Sequence, residues 1–182
     1  MIDEQQLIAD LKHDATKQTA FRSLVSCYKE RLYWHVRKIV LDHEDTDDIL
    51  QNVFIKVWRN IDSFRAESGL YTWLYRIATN ESLTFLSHKK KKTFNGTDDD
   101  LNDYLLENVQ ADPYFNGDEL QRQLQAAIAR LPEKQRLVFN MRYYDDIKYQ
   151  DMEKILETSE GALKASYHHA VKKISEFIKN LE

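Results

Sequence analysis

Apolar residues recur at every third or fourth position along almost the whole chain, and only 4 glycines and 2 prolines in 182 residues interrupt them. That spacing is the repeat of an α-helix, whereas strands alternate every second residue. The chain is therefore read as all-α. Helices are expected near 3–13, 17–41, 46–60 and 70–88, and again near 118–130, 132–144, 148–157 and 159–179. The stretch 46–60 is the clearest. Ile49, Leu50, Val53, Phe54, Val57 and Trp58, with Ile61 just beyond, make one wide apolar face, and Asp45 or Thr46 offers an N-cap. Pro132 suits the start of its helix, where a missing amide proton costs nothing.

Between the two helical blocks the pattern lapses. Residues 98–119 hold eight acids (Asp98, Asp99, Asp100, Asp103, Glu107, Asp112, Asp118 and Glu119) and no lysine or arginine; Asn95-Gly96-Thr97 precedes them, and no sustained periodicity returns before Asn116-Gly117. The expected organisation is two small helical domains joined by an acidic linker: 1–92, a linker at 93–117, and 118–182, the last containing a helix-turn-helix. Leu101, Tyr104, Leu105, Leu106, Tyr114 and Phe115 make that linker more apolar than a free tether needs, so part of it is expected to dock.

The formal charge of -4 argues at first against nucleic-acid binding. Setting aside those eight acids leaves 22 of the 30 against 26 bases, so the rest of the chain is net positive. The start, Met1 to Gln6, has neither a basic nor an apolar leader region, and no apolar run approaches the roughly 18 residues of a membrane span, so a cytoplasmic protein is expected. The single cysteine, Cys27, lies in an apolar helical stretch and is read as a small buried hydrophobe.

Two features point to nucleic acid. In the helix near 70–88, Thr72, Arg76, Asn80 and Thr84 form a polar stripe opposite Trp73, Leu74, Ile77, Ala78 and Phe85, and Lys89, Lys90, Lys91 and Lys92 follow directly. Such a surface can hold phosphates and read base edges. Near the C-terminus, Tyr149, Met152, Ile155 and Leu156 form a short apolar face. A turn at Thr158-Ser159-Glu160-Gly161 follows, and then Leu163, Tyr167, Ala170, Val171, Ile174, Phe177 and Ile178 line a longer helix, as in a helix-turn-helix.

Asp47-Asp48-Ile49-Leu50-Gln51-Asn52-Val53-Phe54-Ile55-Lys56-Val57-Trp58, with Phe64 and then Tyr71-Thr72-Trp73-Leu74-Tyr75-Arg76-Ile77-Ala78-Thr79-Asn80, resembles the promoter -10 domain of extracytoplasmic-function (ECF) sigma factors, a branch of the sigma-70 family. Leu131-Pro132-Glu133-Lys134-Gln135-Arg136, Tyr149-Gln150-Asp151-Met152 and Leu163-Lys164 resemble that family's -35 domain. The resemblance implies a non-enzymatic RNA polymerase sigma factor whose partners are core polymerase, promoter DNA and an anti-sigma factor, with no small-molecule substrate.

It also implies sites. Asp48, Gln51 and Asn52 are the candidates for docking on the clamp helices of the largest polymerase subunit, with Asn52 standing where an acid is usual. Trp58 and Trp73 are read as core. Arg65, Ala66, Glu67, Ser68 and Gly69 form the loop expected to capture -10 bases of the non-template strand, Gly69 permitting its turn, with Thr72, Arg76, Asn80 and Lys89–Lys92 on the DNA side. Ser159, Glu160, Gly161, Lys164, Ser166, His168, His169 and Lys172 are the -35 candidates. Relatives carry arginines where Ser166, His169 and Val171 stand, so weaker salt-dependent binding or a different -35 sequence is expected. The acidic linker has two readings, a charge mimic in an RNA path or a disordered spacer.

A free-standing helix-turn-helix regulator is the alternative function. An enzyme finds no motif: no Gly-rich phosphate loop, no HExxH and no placed nucleophile. No cofactor or metal is expected, because adjacent His168 and His169 project about 100° apart on a helix.

Overall fold

The computed structural model describes residues 3–93, 98–111 and 119–180. Asn95-Gly96-Thr97, Asp112, Tyr114, Phe115, Asn116-Gly117 and Asp118, singled out above, lie outside the described residues. Among the described residues there are nine α-helices and no strand: α1 Glu4–Leu11, α2 Asp14–Val40, α3 His43–Asn60, α4 Leu70–Thr93, α5 Asp98–Ala111, α6 Glu119–Ala129, α7 Glu133–Tyr143, α8 Tyr149–Leu156 and α9 Glu160–Lys179, with one 3-10 turn at Ile61–Ser63. No described helix is long and apolar enough to cross a membrane.

The boundaries follow local chemistry. The Asp3 carboxylate accepts from the Gln5 amide at 3.0 Å and caps α1. Helix α3 starts three residues earlier than expected. Its cap is Asp42, accepting from the Asp45 amide at 2.8 Å, and neither Asp45 nor Thr46; the Thr46 hydroxyl instead donates back to the Asp42 carbonyl. Pro132 sits one residue before α7, and α2 closes on Leu41 in the left-handed region, φ 57°.

Helices α2, α3 and α4 pack around Leu32, Val36, Val53, Val57, Leu74 and Ala78, all fully buried, with α1 adding Leu7 and Leu11. The second block, α6–α9, has a smaller core of Ile128, Leu131, Phe139, Ala170 and Ile174. These cores are not independent. Leu137, Met141, Ile147, Met152 and Ile155 belong to the apolar cluster of the first block, because α8 lies against α4. Polar contacts rim this seam: Asp145 meets His35 Nδ1 at 3.1 Å and Lys38, and Asn140 donates to the Lys38 carbonyl at 3.2 Å.

Four sequence readings are corrected here. Trp58 is 39% exposed, standing beside Phe21 rather than beneath it, while Trp73 is buried as expected. Cys27 is exposed, because α2 turns that edge outward. Val171 lies off the buried stripe of α9. Residues 98–111, assigned to an aperiodic linker, are helical: Leu101, Leu105 and Val109, four apart, are buried against the rest of the chain.

Candidate functional site

The loop between the 3-10 turn and α4 is built around one strained residue. Ala66 has φ 56°, in the region that disfavours a Cβ, whereas Gly69 lies outside it and does not supply the turn's handedness. Phe64 is buried against Trp73, with ring centroids 5.1 Å apart, so the loop is fastened at its start by an aromatic pair. Arg65, Glu67 and Ser68 then stand around a cavity of about 310 Å³ with Ser63, Phe64, Trp73, Arg76 and, from the second block, Lys154. A pocket with an aromatic wall and both charge signs can receive an unstacked base and bond its edge.

The stripe on α4 is unevenly available. Arg76, Asn80 and Thr84 are exposed, but Thr72 is buried under α8, its hydroxyl 3.3 Å from the Asp151 carboxylate. In this arrangement of the blocks, α8 occupies the ground next to the loop. Within the lysine run, Lys91 and Lys92 are exposed. Lys89 turns inward, donating to Asp45 and to the Tyr104 hydroxyl, each at 2.5 Å. Burial lowers the Lys89 ammonium, but those two partners outweigh it and hold its proton above the ordinary lysine range. Lys89 thus ties α4 to α3 and α5.

On α3, Asp48, Gln51 and Asn52 are exposed on one face, and the structure adds Ile55, 42% exposed, and Trp58 to it. Sequence reasoning missed both as surface groups, although the spacing 48, 51, 52, 55 and 58 is that of one helical face. Lys17 lies 5.2 Å from the centre of the Trp58 ring.

In the second block α8 ends with Glu157 in the left-handed region, φ 49°, and Ser159 stands just before α9, its side chain making no capping bond. The turn therefore lies slightly earlier than expected, and Gly161 is inside the helix, where an added Cβ would meet nothing. Glu160, Gly161, Lys164, His168, His169 and Lys172 follow one another up the open side of α9, with Ser166 half-buried. Lys164 pairs with Glu160 at 3.1 Å and Lys172 with Glu176 at 3.9 Å, so both ammoniums are available only by exchange with exposed carboxylates, which water makes easy.

A three-helix core with a strained loop before its third helix, joined to a helix-turn-helix, is the plan of sigma region 2 followed by region 4. Family models agree: sigma-70 region 2 matches residues 24–92, which covers most of α2, all of α3 and α4 up to Lys92, and sigma-70 region 4 matches 121–174, within α6–α9. The chain belongs to the ECF branch of the sigma-70 family. It is an RNA polymerase sigma factor. Among its relatives is the ECF RNA polymerase sigma factor SigW of Bacillus subtilis (strain 168), 29% identical over 171 residues, 90% of this chain and 91% of that one. Two solved structures share the fold of this sigma factor. CnrH in complex with the cytosolic domain of CnrY has a TM-score of 0.69 at 19% identity, covering 97% of each chain. The sigma factor RpoE in complex with the anti-sigma factor NepR from Bartonella quintana has a TM-score of 0.67 at 18% identity, covering 87% of this chain and 96% of that one.

Proposed function

We propose that this sigma factor divides its work among three surfaces. The exposed face of α3, with Asp48, Gln51 and Asn52 and the apolar Ile55 and Trp58, docks on core polymerase. The loop at 64–70, with Arg76, Asn80, Lys91 and Lys92, takes the non-template -10 strand. The outer side of α9, from Ser159 to Lys172, enters the -35 major groove. The reading is carried by one observation: the capture loop and the helix-turn-helix sit in a single chain beside an open, mixed polar and apolar helix face. The protein performs no chemistry of its own. It acts in the cytoplasm, where the polymerase is, and an anti-sigma factor that covers these surfaces is its regulator, as the complex formed by its structural relative suggests.

Run-off transcription from a promoter library tests the docking face. Core polymerase with the parent chain is expected to give promoter-specific transcripts, and the Asp48→Ala, Gln51→Ala double variant to lose them tenfold or more, since each polar contact at a desolvated interface is worth roughly 1 kcal/mol. Undiminished transcripts would move the docking surface elsewhere. Transcription that never appears, beside tight duplex binding by the chain alone, would fit a free-standing regulator.

The sparse cations of α9 set a second expectation. Duplex -35 DNA binding should show a shallow salt dependence, and replacing both Lys164 and Lys172 by alanine should flatten log K against log salt by up to about 1.8, near 0.9 for each phosphate no longer neutralised. An unchanged slope would show that neither lysine meets a phosphate.

A further inference from the structure

Helix α4 begins without a capping side chain of its own. Its first intrahelical bond runs from the Trp73 amide to the Gly69 carbonyl at 3.2 Å, which puts Gly69 at the cap, where glycine offers no oxygen to the open amides. The missing acceptor comes from 66 residues upstream: Glu4 Oε1 accepts from the Leu70 amide at 3.0 Å. At the other end of the loop, Lys12 Nζ donates to the Phe64 carbonyl at 2.5 Å, and just before it Lys17 pairs with Asp62 at 2.7 Å. Helix α1 can hold this position because Leu7 and Leu11 are buried in the core of the first block. Tyr28 reports the same neighbourhood. Burial, then the nearby Glu4 carboxylate, raise its hydroxyl above the ordinary phenol range.

From these contacts we infer that α1 is a clasp for the capture loop, with Glu4 and Lys12 as positioning residues that fix the two ends of 64–70 so that Arg65, Glu67 and Ser68 meet the -10 base in a defined geometry. The inference rests on the reading of that loop as the -10 contact. The Phe64–Trp73 pair holds only the start of a loop that turns through a left-handed Ala66, and anchoring both ends removes most of its remaining freedom. Neither anchor faces the cavity, so the effect of losing one is indirect.

The test uses holoenzyme assembled from core polymerase and the full chain. The probe is a dye-labelled single strand bearing the non-template -10 sequence of a promoter recovered by run-off, and a second strand with one -10 base changed. Glu4→Ala and Lys12→Met are expected to weaken capture of the matched strand about five- to tenfold, the scale of a lost helix cap. The matched-to-mismatched ratio should fall with it, while affinity for core polymerase stays at the parent value. Glu4→Gln, which keeps an acceptor, should recover part of the loss. An unchanged ratio, or a parallel fall in core affinity, overturns the clasp by showing that α1 only supports the fold. Arg65→Ala with Glu67→Ala separates the two ideas. If that loop variant loses capture while the α1 variants do not, the clasp is wrong and the loop reading stands; if the loop variant captures normally, both fall.

Discussion

Replacing Asp145 by alanine is expected to loosen the helix-turn-helix block from the first block. Asp145 precedes α8 and reaches across to α2, where its carboxylate meets His35 Nδ1 at 3.1 Å and Lys38, while His35 Nε2 lies 2.8 Å from the Thr79 hydroxyl of α4. Asp145 and His35 are both shielded, 8% and 1% exposed at the side chain. Removing one partner of such a pair strands the others in a dry seam, at a cost of about 3 kcal/mol, the low end for a buried pair because Lys38 retains some access to water. The ratio of closed to open molecules should fall roughly a hundredfold. Exposed Cys27 accepts one dye and Lys173→Cys a second, so the opening reads directly as reduced energy transfer.

The same change should expose Thr72 and withdraw Lys154 from the loop cavity, raising capture of single-stranded -10 DNA by the free chain. Acid should act like the mutation. Burial pushes the Asp145 carboxyl up, but His35 and Lys38 outweigh it and leave it below the ordinary 3.8. Its contribution to closure is therefore complete above that value and lost as pH falls through the lowered one. Unchanged energy transfer in the variant would mean that the apolar seam around Met152 and Ile155 closes the molecule unaided.

The helices were legible because their cause is local. The three-four spacing of Ile49, Leu50, Val53 and Val57 is written in adjacent residues, and so is the turn between α8 and α9, read at 158–161 and found to begin one residue earlier, at Glu157. Trp58 defeats that reasoning because it sits at the edge of the stripe, where a large ring can lean on Phe21 and still face water. What no window of sequence could reveal are bonds between distant residues. Glu4 capping Leu70 and Asp145 meeting His35 depend on how whole helices are laid together, and nothing near either residue announces its partner. For the loop the residue types were readable, but the strained position was not: a glycine at 69 drew the turn to itself, while the backbone turns at Ala66.

Helix α5 is the place where composition misled most, and Leu105→Ala tests what holds it. Fourteen residues, rich in carboxylates at the N-terminal end, are too few to stay helical alone in water, so α5 depends on its docking. Leu105 is fully buried between Leu101 and Val109, and the Tyr104 hydroxyl closes a triad with Asp45, at 3.1 Å, and Lys89. Truncating Leu105 leaves a cavity and loses its transfer energy, about 2–4 kcal/mol. Because α5 alone bears that loss, local opening should become roughly thirtyfold or more frequent, seen as faster hydrogen exchange of amides 102–109 with α2 and α3 unchanged. Lys89 would then lose Tyr104 and keep Asp45 as its one remaining bonded partner of the two, while the acidic segment is freed. Tyr104→Phe, which keeps the ring and loses only the hydroxyl, should produce a smaller version of the same change. Exchange that stays slow after Leu105→Ala would place the anchor in the Lys89 triad instead of the leucine stripe, and Tyr104→Phe would then be the more damaging of the two.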